Sequence, residues 1–188
     1  MQSILIIAGA YILCHGITAL LVTPVQHLFA SHATVFASLL YLPHGVRVLA
    51  AWFLGWRAFP ALVVGAVASE LLFTPAEVFS MLQPAMLASI TVGAMSAPLA
   101  FSLAGFFGRN LHAGEGGLPD WKRLLAIGAL ASVVNSVGQS IVFSGFILPE
   151  SFATVAAIYA FGDVTGLFAC MVTLMLIFRW IRLSSAGS

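Results

Sequence analysis

Two ionisable side chains, His44 and Arg47, lie in a run of residues, 41–56, that is otherwise apolar enough to be buried in a membrane. An ionisable side chain at bilayer depth costs about 2.5–3.5 kcal/mol on insertion scales, and such side chains usually face a cavity or a partner. A spacing of three residues puts His44 and Arg47 on one face of a helix. The chemistry that this pair favours is the binding of an anionic group or of a proton.

Other polar side chains are predicted at a similar depth. Depth follows from counting about 1.5 Å per residue from the basic residues at the ends of the apolar segments. Arg47 then lies roughly 15 Å deep and the other members of the set roughly 20–25 Å deep. Together they form a layer between the midplane and the outer interface. The candidate ligand-binding residues in this layer are His44, Arg47, Glu70, Asn135, Gln139 and Asp163.

The spacing of these residues predicts a polar pocket inside a helix bundle, open toward the outer side. Asn135 and Gln139 belong to a polar stripe with Ser132 and Ser136, because these positions recur at helical spacing. We expect Arg47 to be neutralised by Asp163 or Glu70, since an unpaired charge at this depth is expensive. A purely structural lock between helices is the alternative interpretation, with the stripe acting as interhelical glue.

Motifs for catalysis and metal binding are missing from the sequence. There is no HExxH, GxSxG, phosphate-binding loop or CxxC, so we expect neither an enzyme nor a metal site, and no cofactor can be named. Cys14 and Cys170 are interpreted as small buried hydrophobic residues. His15, His27 and His32 lack the tight spacing of metal ligands. No basic run suggests nucleic acid.

The composition predicts an integral membrane protein with an all-α fold. Hydrophobic residues make up 61% of the 188 residues and charged residues only 7%, whereas soluble domains carry about 25% charged residues. Residues 1–183 are predicted to form a single membrane domain and residues 184–188 a short flexible tail. About six transmembrane segments are predicted, at residues 3–23, 34–56, 58–73, 78–107, 121–148 and 152–180. A re-entrant element within the third and fourth segments is left open.

Basic residues predict the orientation of the six segments. Six of the seven Lys and Arg residues fall in alternate connections, and Arg47 is the exception. The positive-inside rule then places both termini in the cytoplasm. We expect a multi-pass protein of the bacterial inner membrane whose main partner is the lipid bilayer. The basic residues that agree on this orientation are Arg57, Arg109, Lys122, Arg123, Arg179 and Arg182.

Two stretches resemble the membrane-associated sensor domains of the first (MASE) type. The early stretch consists of residues 42–51 (LPHGVRVLAA), 54–55 (LG), 58–61 (AFPA) and 65–66 (GA), against a family pattern of W-P-P-A-G-L-A-L-A-A, then L-G and W-P, then L-G-A-L-L-A-N. The late stretch, residues 161–167 (FGDVTGL), resembles the closing G-D-A-L-G-V element. The resemblance covers about forty residues and implies a sensory or ligand-binding membrane module.

The chain departs from that family pattern at informative positions. His44 and Arg47 stand where the family usually has apolar or small residues, and Ser69 and Glu70 where it often has Ala-Asn. Six segments are fewer than the family usually has. No kinase, cyclase or phosphodiesterase module follows, so the resemblance implies a stand-alone version whose output comes from a separate partner.

Three functions are compatible with these patterns. The first is a sensor-like module whose intramembrane pocket binds a small ligand or a proton and signals through a separate cytoplasmic partner. The second is a transporter, or the substrate-binding subunit of an energy-coupling-factor transporter, which has a similar number of helices but whose diagnostic motifs are not found here. The third is a structural subunit of a larger membrane complex.

Overall fold

The structure is a computed structural model that describes residues 2–29, 38–74, 83–107, 111–113, 121–143 and 152–186. The described residues are almost entirely helical, and no strand occurs among them. This confirms the all-α fold class. The helices are α1 (Gln2–Ile17), a π-helical turn (Thr18–Val22), α2 (Thr23–Phe29), α3 (Leu42–Leu54), a 3-10 turn (Gly55–Ala58), α4 (Phe59–Phe73), α5 (Gln83–Phe106), α6 (Trp121–Val142) and α7 (Phe152–Ala186).

The first helical stretch continues past Pro24, where the sequence predicted its end. A proline lacks the N–H that a helix needs and its ring collides with the carbonyl four residues earlier. The wider π-helical turn at Thr18–Val22 ends two residues before Pro24, and the N–H of Thr23 bonds to the carbonyl of Thr18, five residues back rather than four. The helical path therefore continues through α2 to Phe29.

Helix α3 begins later than predicted, at Leu42. Pro43 lies in its first turn, a position that proline favours because the N–H there has no partner within the helix. Residues 38–41, which precede the helix, are not helical. Residues 30–37, where the predicted second segment begins, lie outside the described residues.

The chain reverses direction between α3 and α4. The break lies at Gly55, whose φ of +56° is a conformation that only glycine adopts readily.

The contacts of α1 show the directions of α3 and α4. Ala8 of α1 lies against Gly65 of α4. Gly16 of α1 lies against Phe73 near the end of α4, so α1 and α4 run parallel. Thr18, just after α1, contacts the first backbone N–H of α3, so α1 and α3 run antiparallel. Helices α3 and α4 thus form a hairpin.

Helix α3 is the centre of the bundle, because it packs against α1, α5, α6 and α7. Two hydrophobic clusters lie on either side of it. One joins Val48 and Ala51 to α5, α6 and α7, and the other joins Ala50 to α1, α4 and α5. The polar face of α3 is consequently enclosed by other helices.

Helix α7 lies very close to the chain that leads into α3. Gly162 packs on the carbonyl of Ser38 and Gly166 on that of Tyr41, and a Cβ atom at either glycine would overlap with these oxygens. The N–H of Tyr41 donates to the carbonyl of Gly162 at 2.8 Å. The small residues around Asp163 therefore serve close packing.

Five helical stretches are long and apolar enough to cross a membrane: Gln2–Gln26, Leu42–Phe73, Pro84–Phe106, Trp121–Val142 and Ala156–Ser185. Many large apolar side chains on them are exposed, including Leu5, Leu71 and Phe168. Such a surface is compatible with contact to lipid. The stretch Leu42–Phe73 contains the hairpin of α3 and α4, two of the six predicted segments. Helix α7 extends to Ala186 and includes the first three residues of the predicted tail.

Candidate functional site

The centre of the candidate site is a contact between α3 and α7. Nδ1 of His44 lies 3.4 Å from Oδ2 of Asp163, and both side chains are buried. Nε2 of His44 lies 3.1 Å from the carbonyl oxygen of Gly128 on α6. The close approach of α7 at Gly162 and Gly166 brings Asp163 to this depth in the bundle. The histidine thus connects three helices.

Two amides of α6 extend the contact into a network. Nδ2 of Asn135 donates to Oδ2 of Asp163 at 2.6 Å. Nε2 of Gln139 lies 3.3 Å from Oδ1 of Asn135 and also donates to the carbonyl of Ser89 on α5 at 3.1 Å. Asn135 and Gln139 are both buried. The predicted polar stripe on α6 therefore faces the protein interior, and it joins α5, α6 and α7 to α3.

The contact between His44 and Asp163 implies one proton on the pair, although Nδ1 of His44 forms no hydrogen bond with a described residue. A carbonyl oxygen can only accept, so Nε2 of His44 carries the hydrogen that it donates to Gly128. Nδ1 of a neutral imidazole would then present a lone pair to Asp163. A lone pair facing a carboxylate is repulsive, so a proton must reside on Nδ1 or on the carboxyl group. Either arrangement leaves the pair with no net charge.

Arg47 has a different environment from the one predicted. Its Nη2 donates to the hydroxyl of Tyr11 at 2.7 Å and to that of Tyr41 at 3.3 Å. The guanidinium also lies over both tyrosine rings, with Cζ 5.6 and 5.2 Å from their centroids. No acidic oxygen lies within 4.0 Å of it among the described residues. The predicted pairing of Arg47 with Asp163 or Glu70 is therefore wrong. Asp163 contacts His44, and Arg47 donates its hydrogen bonds to the two tyrosines.

Several buried polar atoms have no hydrogen-bond partner within the described part of the chain. They include Nε and Nη1 of Arg47, a residue that is only 4% exposed. On α6 they include Oε1 of Gln139 and the hydroxyls of Ser136 and Ser140. A buried polar group without a partner costs about 1–3 kcal/mol, and more when it is charged. Such atoms indicate where a ligand, an ion or water would be stabilised.

Glu70 does not join this network. It lies on α4, is partly exposed and accepts a hydrogen bond from the hydroxyl of Thr74, one turn further along the chain. Glu70 was predicted at a depth similar to that of His44. Counting residues along a helix does not give the rotation about its axis, so it does not predict which side of α4 faces α3. Of the six predicted site residues, the structure joins His44, Asn135, Gln139 and Asp163, and Arg47 lies one helical turn away from His44 on α3.

The sequence did not single out Tyr11 and Tyr41, which are the direct partners of Arg47. Tyrosines in apolar segments combine an apolar ring with a hydroxyl that usually finds a partner when it is buried. This need of a buried tyrosine hydroxyl for a partner was the feature of the sequence that could have indicated Tyr11 and Tyr41 as partners of Arg47. His15 was weighed above only as a metal ligand. In the structure its ring stacks on that of Phe73, with 5.8 Å between the ring centroids.

The arrangement can hold a proton or a small polar group, and it offers little else. Within the described ranges, no group of three or more His, Cys, Asp or Glu residues could hold a metal ion. His32 lies outside the described residues. Comparisons with protein-family models, with curated proteins and with solved structures found no match to this chain.

Proposed function

We propose that this chain is an integral membrane sensor-like module whose buried polar network binds a small ligand or a proton. The observation that carries the proposal is a set of buried polar atoms on Arg47, Gln139 and Ser136 that have no partner in the described ranges. Helix–helix packing alone would favour apolar or fully paired side chains at these positions. A bound group would satisfy these atoms.

The position of α3 supports coupling between binding and helix arrangement. This helix carries both His44 and Arg47 and contacts four other helices. A ligand that binds one arrangement of α3 better than another shifts the population toward it. A separate cytoplasmic partner would then detect the shift, since the network itself lies inside the bundle.

The proposed topology has six membrane crossings with both termini in the cytoplasm. The hairpin supports counting α3 and α4 separately, although they are only 13 and 15 residues long. Helices of that length span about 20–22 Å, less than the 30 Å of a typical hydrocarbon core. The proposed membrane is the bacterial inner membrane. A reporter that is inactive in the periplasm, fused after residue 57 or after residue 74, tests whether the hairpin crosses the membrane twice. Reporter activity at both positions would contradict two crossings.

The resemblance to membrane-associated sensor domains of the first type is part of the proposal. Its early and late elements are in contact, since Gly45 lies against the carbonyl of Gly166 and His44 lies 3.4 Å from Asp163. Two sequence elements that define one module would be expected to pack together. This supports a sensory module but assigns no ligand.

Native mass spectrometry of the purified protein in mild detergent tests the proposal. We expect a retained small molecule on the wild type, with less retention on Asp163→Asn and Arg47→Lys. Glu70→Gln is the matched control, because Glu70 lies outside the network and its replacement should leave retention unchanged. If the wild type retains nothing, and its thermal stability responds to neither pH nor a ligand screen differently from the variants, the proposal fails.

A structural role is the second candidate, and the near-complete burial of the network favours it. His44, Asn135 and Asp163 are each at most 2% exposed, as expected of a lock between helices. Under this alternative, the same variants would lower stability without any change in ligand response. Measuring the stability of each variant with and without the retained molecule separates the two.

A further inference from the structure

The guanidinium of Arg47 carries hydrogen-bond donors that lack acceptors. Nε and Nη1 of Arg47 have no partner among the residues that the structure describes, and both can only donate. The hydroxyls of Tyr11 and Tyr41 lie 3.3 Å apart, so one donates to the other. The hydrogen of the second hydroxyl then has no acceptor among the described residues. The complement of this group is a ligand rich in acceptors.

Charge counting defines the ligand further. The pair of His44 and Asp163 is neutral when it holds one proton, so among the buried residues that the structure describes the remaining charge is that of Arg47. Glu70 is partly exposed and bonded to Thr74, and it does not reach the guanidinium. A monoanion would balance this charge, whereas a dianion would leave a buried negative charge that is similarly expensive.

Apart from the ring of His15, whose centroid lies 6.4 Å from that of Tyr11 and 6.3 Å from that of Tyr41, the neighbours of this group are largely apolar. Tyr11 belongs to a cluster with Leu62, Ile90 and Ala94, and the rings of both tyrosines flank the guanidinium. Gly93 of α5 packs directly against the guanidinium, because a Cβ atom there would lie 2.5 Å from Nη2 of Arg47. These neighbours favour a ligand whose uncharged part is hydrocarbon.

We propose that the group formed by Arg47, Tyr11 and Tyr41 binds the carboxylate of a small monocarboxylate with an apolar body. This inference rests on the proposed function and names the ligand class of the same site. A carboxylate supplies acceptor lone pairs on two oxygens, so it can satisfy donors that point in different directions. A chloride ion also carries one charge but accepts at a single point. The carboxylate can belong to a free acid or to a fatty acid from the bilayer.

Thermal unfolding of the purified full chain in detergent tests the ligand class. The probes are sodium butyrate and sodium benzoate, with butyramide, benzamide and sodium chloride as matched controls. A ligand that binds only the folded state raises the apparent Tm with its concentration. We expect the carboxylates to raise Tm and the amides and chloride to leave it unchanged. Oleate added to the protein in nanodiscs tests the lipid source by native mass spectrometry.

Variants localise the response. Losing a hydrogen bond to a charged group weakens binding about ten- to a hundredfold, and we expect this for Arg47→Gln. Arg57→Gln removes the same charge from an exposed position and should bind like the wild type. If Arg47→Gln does not fold, Arg47→Lys keeps the charge and loses the guanidinium geometry, with about tenfold weaker binding expected.

The outcomes separate this inference from the proposed function. Equal stabilisation by amides or by chloride, or a neutral molecule retained on the wild type, overturns the monocarboxylate and leaves a ligand site in place. No response to any carboxylate, together with no molecule retained on the wild type, overturns both. Retention of oleate without a response to the short acids assigns the carboxylate to a lipid.

Discussion

Nδ1 of His44 and Oδ2 of Asp163 lie 3.4 Å apart, inside a bundle where no water-facing surface reaches either side chain. The same carboxylate oxygen accepts from Asn135 at 2.6 Å. The contact joins residues 119 positions apart in the sequence, and it ties the central helix α3 to α6 and α7. Its energetic role can be measured by substitution.

Asp163→Ala should be strongly destabilising. It leaves His44 and Asn135 buried without their common partner, which costs about 3–5 kcal/mol for a buried charged pair. Asp163→Asn should cost less, because an amide still accepts from Asn135 and donates to Nδ1 of His44. Unfolding in mixed micelles measures the difference. Equal costs for the two substitutions would show that the hydrogen bonds contribute little.

The contact between Asn135 and Asp163 should appear as coupling in a double-mutant cycle. Residues that share a hydrogen-bond network show interaction energies of about 0.5–3 kcal/mol. We expect Asn135→Ala combined with Asp163→Ala to deviate from additivity by about 1 kcal/mol, within the range for polar contacts in membranes. Val133→Ala, at an exposed position on α6, combined with Asp163→Ala is the control, and it should be additive.

Gly162→Ala and Gly166→Ala should separate α7 from the entry to α3. The new methyl groups would overlap with the carbonyls of Ser38 and Tyr41. Overpacking of this kind costs about 1–3 kcal/mol. Gly9→Ala is the matched control, since nothing lies within 4 Å of a Cβ there. Alanine has the better helix propensity, so this variant should be neutral or more stable by up to about 1 kcal/mol.

The two tyrosines should contribute unequally to holding Arg47. Tyr11→Phe removes an acceptor at 2.7 Å, whereas Tyr41→Phe removes one at 3.3 Å. A hydrogen bond to a charged group contributes about 1.5–3 kcal/mol, and the shorter bond should account for the larger loss of stability. Both substitutions keep the ring over the guanidinium. A larger loss for Tyr41→Phe would contradict this order and place the stronger interaction at Tyr41.

Much of the architecture could be read from local patterns. Apolar composition predicted helices for a membrane, and the existence of α4, α5, α6 and α7 follows from long, mostly apolar runs. Helix boundaries were less predictable. Pro24 did not end the first helical stretch, because the π-helical turn before it absorbs the defect, and Pro43 began α3 rather than interrupting it.

The sequence by itself determined which residues had to be enclosed. Ionisable and amide side chains in apolar runs must leave the lipid, and the period of 3.6 residues placed Asn135 and Gln139 on one face of α6. Partner choice was decided only by the tertiary structure. Asp163 could pair with either His44 or Arg47 at the same depth, and depth counting contains no rotation about a helix axis. The close approach of α7 at Gly162 and Gly166 directs Asp163 to His44, and the packing of α1 on α3 places Tyr11 against Arg47. Arg47, which was predicted to pair with an acid, is instead held by the hydroxyls of Tyr11 and Tyr41, and its Nε and Nη1 have no partner in the part of the chain that the structure describes.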